Sequence, residues 1–182
     1  MAILSPIDAR TITDLRRANV LQDVAGHLLD QRQGVLLVTC PDGDHFFDIF
    51  SHQLHMQDGQ CRHPRVHTFG WHGGALRLVP GSPANTEPEE HQIFMREIRE
   101  GRALKGINTV ALYAHVPCGK AGERQIDLLQ LMVLLIQAKA IIKLMNNGIV
   151  VAPFLHVAYQ NNRRRTYFVS RPEWDKWLDT TP

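Results

Sequence analysis

The sequence predicts an α/β fold with a mostly parallel β-sheet flanked by helices. Residues 35–39 form a short run that is apolar on both faces and flanked by breakers, which is typical of a central parallel strand. Residues 107–114 form a second such apolar run. Longer segments with the helical spacing of apolar residues separate these runs, and strands that alternate with helices indicate α/β architecture.

The remaining elements follow from periodicity and breakers. We expect helices over residues 13–33, 88–104 and 123–147, and a short C-terminal helix that contains Trp174, Trp177 and Leu178. Another strand is expected within residues 66–79, and residues 149–159 and 166–170 form a closing hairpin. The helix over 123–147 is apolar around nearly its whole circumference after Leu128, which predicts burial in the core or a subunit interface.

Residues 45–67 lose the periodic pattern and predict an extended loop, with a short helix allowed at its phenylalanine-rich start. Asp58-Gly59 and His63-Pro64 are typical of turns. The segment holds five side chains that could bind a metal: His52, His55, Cys61, His63 and His67. A second metal site is one interpretation. A polar loop, with histidines that are solvated or lie at the mouth of the site, is the one we prefer.

Composition bounds the class of protein. The chain has 182 residues, enough for one domain with a full core, and its formal net charge of +2 favours neither nucleic acid nor an anionic membrane. Three cysteines are too few for a disulfide framework and indicate a reducing compartment. The N-terminus lacks a signal-peptide pattern, and the longest apolar stretch carries lysines and glutamines. We therefore expect a cytoplasmic protein without a membrane span.

Three consecutive arginines, Arg163 to Arg165, lie on the expected hairpin turn. They have neither a basic helix nor interleaved aromatic residues around them, which nucleic-acid surfaces usually provide. We interpret them as a solvated turn.

Two of the expected strands end on residues that bind metals. Cys40 follows the strand over 35–39, and His115 and Cys118 follow the strand over 107–114. Because the carboxyl ends of parallel strands lie at one edge of a sheet, we expect these three side chains to meet there. Two thiolates and one imidazole suit Zn²⁺ and leave a fourth position for water or a carboxylate. Buried cysteines that pack as small apolar side chains are the alternative.

The motifs Cys40-x-Asp42 and His115-x-x-Cys118-Gly119, in this order, resemble those of the β-class carbonic anhydrases. The resemblance extends over about residues 13–170, but only these two motifs are specific. It implies a three-layer α/β/α sandwich, here a single domain over residues 1–182, that forms a homodimer or a higher homo-oligomer. It also implies Zn²⁺ held by Cys40, His115 and Cys118, with Gly119 allowing the backbone to approach the site.

The activity implied by this resemblance is the reversible hydration of CO₂ to bicarbonate. In such enzymes zinc supplies a hydroxide that attacks CO₂. A carboxylate, here Asp42, accepts a hydrogen bond from that nucleophile and orients it.

Asp44 is the main departure from the family motif. The family has an arginine at this position, which pairs with the aspartate and keeps it off the zinc, whereas the charge of Asp44 would repel Asp42. Asp42 is then a candidate fourth zinc ligand, unless His45 or Arg77 supplies the missing positive charge.

This departure leaves three functions open. The first is a zinc enzyme that hydrates CO₂. The second is a catalytically silent zinc-binding relative that serves as a structural or interaction protein. The third is a hydrolase of a related heterocumulene, COS or CS₂.

Overall fold

The computed structural model describes residues 3–24, 29–145 and 148–180. Six strands form one sheet in the order β1-β6-β5-β4-β2-β3. Strands β3, β2, β4 and β5 run parallel, whereas β6 is antiparallel to both β5 and β1. The strands are β1 (Leu21–Gln22), β2 (Val35–Thr39), β3 (Val66–Gly70), β4 (Thr109–Val116), β5 (Val150–Ala158) and β6 (Arg164–Val169). The predicted α/β fold with a mostly parallel sheet is confirmed.

Helices pack on both faces of this sheet. The helices are α1 (Pro6–Arg17), α2 (Phe46–His55), α3 (Glu90–Lys105), α4 (Gly119–Glu123), α5 (Leu128–Met145) and α6 (Arg171–Thr180). Helices α1, α3 and α5 share one core with Leu36 and Leu112. Helix α2 lies over the opposite face, where Ile49 packs with Leu37 and Tyr113. The sheet is therefore the middle of three layers.

The helix expected over residues 13–33 is wrong. Helix α1 ends at Arg17, and the chain then enters strand β1. The Oγ atom of Ser5 accepts a hydrogen bond from the amide of Asp8 at 3.0 Å, and Pro6 fits the first turn, so α1 begins earlier than the apolar spacing indicates. Asn19, with a φ of 58°, redirects the chain so that Leu21 pairs with Val169. Residues 25–28 of the expected helix lie outside the described residues.

Two other elements are shorter than expected. The helix expected over residues 123–147 begins only at Leu128, as α5, because Asp127 accepts a hydrogen bond from the amide of Gln130 at 2.7 Å and starts the helix there, whereas Glu123 ends α4. Residues 146–147, at its expected end, lie outside the described residues. The strand expected within 66–79 ends at Gly70, and a 3₁₀ helix over Gly74–Leu78 follows it.

The segment expected as an extended loop begins with helix α2. The short helix that its phenylalanines allow is therefore present, and it carries His52 into contact with the sheet. The Nδ1 atom of His52 lies 2.8 Å from the hydroxyl of Tyr113. Among the described residues, the groups of side chains close enough to share a metal ion include none of the five from this segment. The second metal site is not formed here.

Candidate metal centre

The carboxyl ends of β2 and β4 lie side by side. The two strands are parallel neighbours, with Val38 beside Leu112, so Cys40 emerges next to the end of β4. The sulfur atoms of Cys40 and Cys118 and a ring nitrogen of His115 all lie within 4.8 Å of one another. All three residues are buried, with exposed fractions of 4%, 8% and 1%. The structure brings together the three side chains that the sequence singled out as metal ligands.

The protonation of His115 follows from its surroundings. Its Nδ1 atom lies 2.9 Å from the carbonyl oxygen of Pro117, and a carbonyl can only accept a hydrogen bond, so Nδ1 carries the proton. The Nε2 atom of the neutral ring then has a free lone pair. This atom is buried without a hydrogen-bond partner among the described residues. A carbonyl that accepts a hydrogen bond from one ring nitrogen, and an unused lone pair on the other nitrogen, are typical of a metal-binding histidine.

The two neighbouring thiols shift the pKa of each other in opposite directions. A hydrogen bond from the Cys118 thiol lowers the pKa of Cys40, with further help from the Gly73 amide. The same hydrogen bond raises the pKa of Cys118, which burial raises further. Both cysteines are free rather than joined in a disulfide. Two thiolates carry two negative charges, which a divalent cation would neutralise. The donor set therefore fits a metal ion.

Gly74 lets the 3₁₀ helix approach this centre. Its φ is +51°, and a Cβ atom at this position would lie 2.7 Å from the backbone nitrogen of Cys40. A side chain at residue 74 would therefore displace Cys40. Gly119 was expected to play this part, and that expectation is wrong: a Cβ atom at Gly119 meets nothing within 4 Å.

Asp42 lies beside the three ligand side chains. Its Oδ1 atom accepts a hydrogen bond from the amide of Asp44 at 3.0 Å. The carboxylate belongs to a second group of close ligand atoms, with His45 and His115, rather than to the group that contains the two sulfurs. Asp42 therefore lies beside the centre, close to His115, and its role as a fourth ligand stays a prediction.

Neither residue considered as a substitute for the motif arginine supplies a positive charge to Asp42. Arg77 pairs with Glu90, and its guanidinium carbon lies 4.8 Å from the ring centroid of Phe94. His45 is buried, and its ring lies against that of His115 in a tilted arrangement, with 4.2 Å between centroids. Burial lowers the pKa of His45, which favours the neutral ring.

Sequence reasoning missed two residues near this centre. Arg164, at the start of β6, donates a hydrogen bond to the carbonyl oxygen of Asp44 at 2.5 Å. His156, on β5, lies in register with His115 and 5.5 Å from the ring of His45. Burial lowers the pKa of His156 to about 3. Only the pairing of β4 with β5 and of β5 with β6 brings these residues close, and no local motif marks them.

A cleft of about 550 Å³ opens over the centre. Its polar lining includes Asp42, His72, Lys120 and Glu123, and the wall reaches Cys40. The Nζ atom of Lys120 lies 3.2 Å from the carboxylate of Glu123, so the two charges at the mouth compensate each other. The cleft therefore leads from solvent to Asp42 and to Cys40.

Comparisons with known proteins show a likeness to a solved structure. No protein-family model matches the chain, and no curated protein matches it significantly. Among solved structures, the carbonic anhydrase from Streptococcus mutans has a TM-score of 0.47 and 14% sequence identity, with 93% of this chain and all of that chain covered. Similarity at this level does not establish membership of a family. None of the described helices is both long and apolar enough to cross a bilayer.

Proposed function

We propose that this protein binds one Zn²⁺ ion through Cys40, His115 and Cys118 and catalyses the reversible hydration of CO₂. The observation that carries the proposal is the tripod of buried donor atoms within 4.8 Å, one of which is an imidazole nitrogen with an unused lone pair. Two sulfurs and one nitrogen favour zinc over oxygen-seeking cations such as Mg²⁺. Zinc held by three protein ligands lowers the pKa of a water in its fourth position, which supplies a nucleophile at neutral pH.

Asp42 is the residue that would orient the attacking water. Its Oδ1 atom is occupied by the amide of Asp44, which leaves Oδ2 to accept a hydrogen bond from the nucleophile. The carboxylate lies outside the three-ligand group, which supports a fourth position that water would occupy. The cleft that Asp42 lines would admit CO₂ and release bicarbonate.

A catalytically silent zinc protein is the second candidate, and Asp44 is the observation that favours it. An acidic residue stands where the resembled motif has its arginine, and neither His45 nor Arg77 restores the charge. Hydrolysis of COS or CS₂ would use the same centre and the same cleft. Three further properties stay predictions: a single domain, a cytoplasmic location, and assembly into a homodimer or a higher homo-oligomer. Sedimentation of the purified protein checks the oligomeric state.

Stopped-flow measurement of CO₂ hydration between pH 6 and 9, run beside zinc quantification, tests the proposal. We expect about one zinc per chain, as the single ligand set requires, and hydration well above the buffer rate. Cys118→Ser should lose both. Cys61→Ser is the matched control and should keep both, because this half-buried thiol contacts Gln57 far from the tripod.

The outcomes separate the candidates. Zinc-loaded protein that does not hydrate CO₂ would contradict the enzyme and support the silent relative. Turnover of COS or CS₂ in place of CO₂ would identify the third function.

A further inference from the structure

The loop that carries Asp42 is a compact turn. The carbonyl oxygen of Asp42 accepts hydrogen bonds from the amides of His45 at 3.0 Å and Phe46 at 2.8 Å. The Oδ1 atom of the same residue accepts the amide of Asp44 at 3.0 Å. These bonds fix the shape of residues 42–46, but all of them lie within the turn. They do not determine where the turn lies relative to the metal ligands.

Arg164 connects this turn to strand β6. Its Nη1 atom donates to the carbonyl oxygen of Asp44 at 2.5 Å and also pairs with the carboxylate of Asp48, in the first turn of α2. Arg164 stands at the start of β6, opposite Ala158 of β5. One guanidinium therefore holds both the turn and the beginning of α2 against the β5–β6 hairpin.

We propose that Arg164 is a positioning residue that keeps the carboxylate of Asp42 beside the metal centre and off the metal, acting through the backbone of Asp44. This inference rests on the proposed function. The side chain at residue 44 is not the anchor in this scheme; its amide holds Asp42 and its carbonyl is held by Arg164.

The inference explains how the site keeps an open fourth position despite Asp44. A charge-assisted hydrogen bond is stronger than a neutral one, and a guanidinium that bridges two oxygens gives a defined geometry. Without it, the turn could move as a unit and carry Asp42 toward the cation. The ion pair with Asp48 contributes little to overall stability, since both side chains are more than a third exposed. Its effect is on the position of the turn that carries Asp42.

Arg164→Met tests the inference, with Arg165→Met as the matched control. Arg165 is the next residue on the same strand and is also exposed, but successive residues of a strand point to opposite faces. In Arg164→Met we expect the amides of residues 44–46 to exchange hydrogen about tenfold faster than in Arg165→Met, as the loss of one charge-assisted hydrogen bond implies. Both variants should melt close to the wild-type temperature.

The cobalt-substituted proteins supply a second readout. With Asp42 off the metal, water can occupy the fourth position and the visible spectrum of Co²⁺ changes with pH; with Asp42 bound, the spectrum is independent of pH. We expect a pH-dependent spectrum in the wild type and in Arg165→Met, and a pH-independent one in Arg164→Met. Arg164→Lys should restore part of the pH dependence, because lysine keeps the positive charge but lacks the planar set of N–H donors of a guanidinium.

Equal exchange rates in the two methionine variants would overturn the inference. Faster exchange in Arg164→Met with an unchanged cobalt spectrum would also overturn it, because the anchor would then hold the turn without controlling Asp42. Wild-type protein that binds Co²⁺ but, with zinc, fails to hydrate CO₂ would contradict the proposed function alone. The exchange and spectral comparisons would still decide the role of Arg164.

Discussion

Tyr113 and His115 point to the same face of the sheet from nearby positions on β4, yet their polar groups have different surroundings. The hydroxyl of Tyr113 contacts Nδ1 of His52 at 2.8 Å and donates to Oε1 of Gln53 at 3.2 Å. Gln53 in turn donates to Gln31. Burial of a hydroxyl with two partners costs little, so this cluster stabilises the fold.

Around His115, by contrast, buried polar atoms lack hydrogen-bond partners in the described part of the chain. The Nε2 atoms of His115 and His156 and the Nδ1 atom of His45 are buried without partners among the described residues. Buried polar atoms of this kind are rare, and each costs about 1–3 kcal/mol unless something binds it. In the Tyr113 cluster, the one buried polar atom without a hydrogen-bond partner within the residues described is Nε2 of Gln31, which belongs to the residue that accepts from Gln53. The contrast teaches that an unsatisfied buried cluster, next to a satisfied one, marks the place where a ligand belongs.

The largest expected effect comes from removing the imidazole of the unsatisfied cluster. His115→Ala should weaken zinc binding by about 100-fold or more, because a ligand contributes more to affinity than the outer groups that orient it. Competition with a chromophoric zinc chelator measures the affinity. Tyr113→Phe is the paired control and should bind zinc as the wild type does. Equal zinc affinities in the wild type and His115→Ala would remove His115 from the site.

A pH dependence of stability should come from the satisfied cluster. Burial lowers the pKa of His52 to about 4 from an ordinary 6.5. The unfolded chain therefore takes up this proton at higher pH than the folded one. The contribution is fully present above pH 6.5 and is lost as the pH falls toward 4, by as much as about 3 kcal/mol in the free energy of unfolding.

Urea unfolding at a series of pH values measures this dependence. His52→Gln should make the curve less steep between pH 6.5 and 4, where His156, whose pKa burial lowers to about 3, still contributes. His55→Gln, on the same helix but exposed, should change the curve much less, because burial and not the charge of His55 is the main cause of the low pKa of His52. Parallel curves for the wild type and His52→Gln would show that His52 does not titrate in this way.

The smallest expected effect is the loss of one hydroxyl. Tyr113→Phe should lower the free energy of unfolding by about 1–2 kcal/mol, because Gln53 and His52 lose a buried partner. Chemical denaturation of the two proteins in the same metal state gives the difference. An unchanged free energy of unfolding would mean that the cluster is as unsatisfied as the one at His115, and the contrast between them would disappear.

Much of the fold could be predicted from the sequence. Residues 35–39 and 107–114 are apolar on both faces, which only a buried parallel strand accommodates well, and the structure makes β2 and β4 parallel neighbours. That pairing brings Cys40 beside His115 and Cys118. The first helix could not be placed correctly, because the apolar spacing after Thr13 outweighed the start signal of Ser5 and Pro6.

The surroundings of the centre could not be predicted, because long-range pairing creates them. Gly74 contacts Cys40 through a 3₁₀ helix that follows another strand. Arg164 reaches Asp44 only because β6 folds back on β5. The sequence shows Arg164 as the middle of three arginines, and nothing in that run distinguishes it from its neighbours.

The most direct test of the account is the zinc X-ray absorption spectrum of the reduced protein loaded with one equivalent of metal. Cys40, Cys118 and His115 predict two sulfur scatterers at about 2.3 Å, with an imidazole nitrogen and one further light atom at about 2.0 Å. A shell of nitrogen and oxygen alone would contradict the account, because the two thiolates would then not hold the ion.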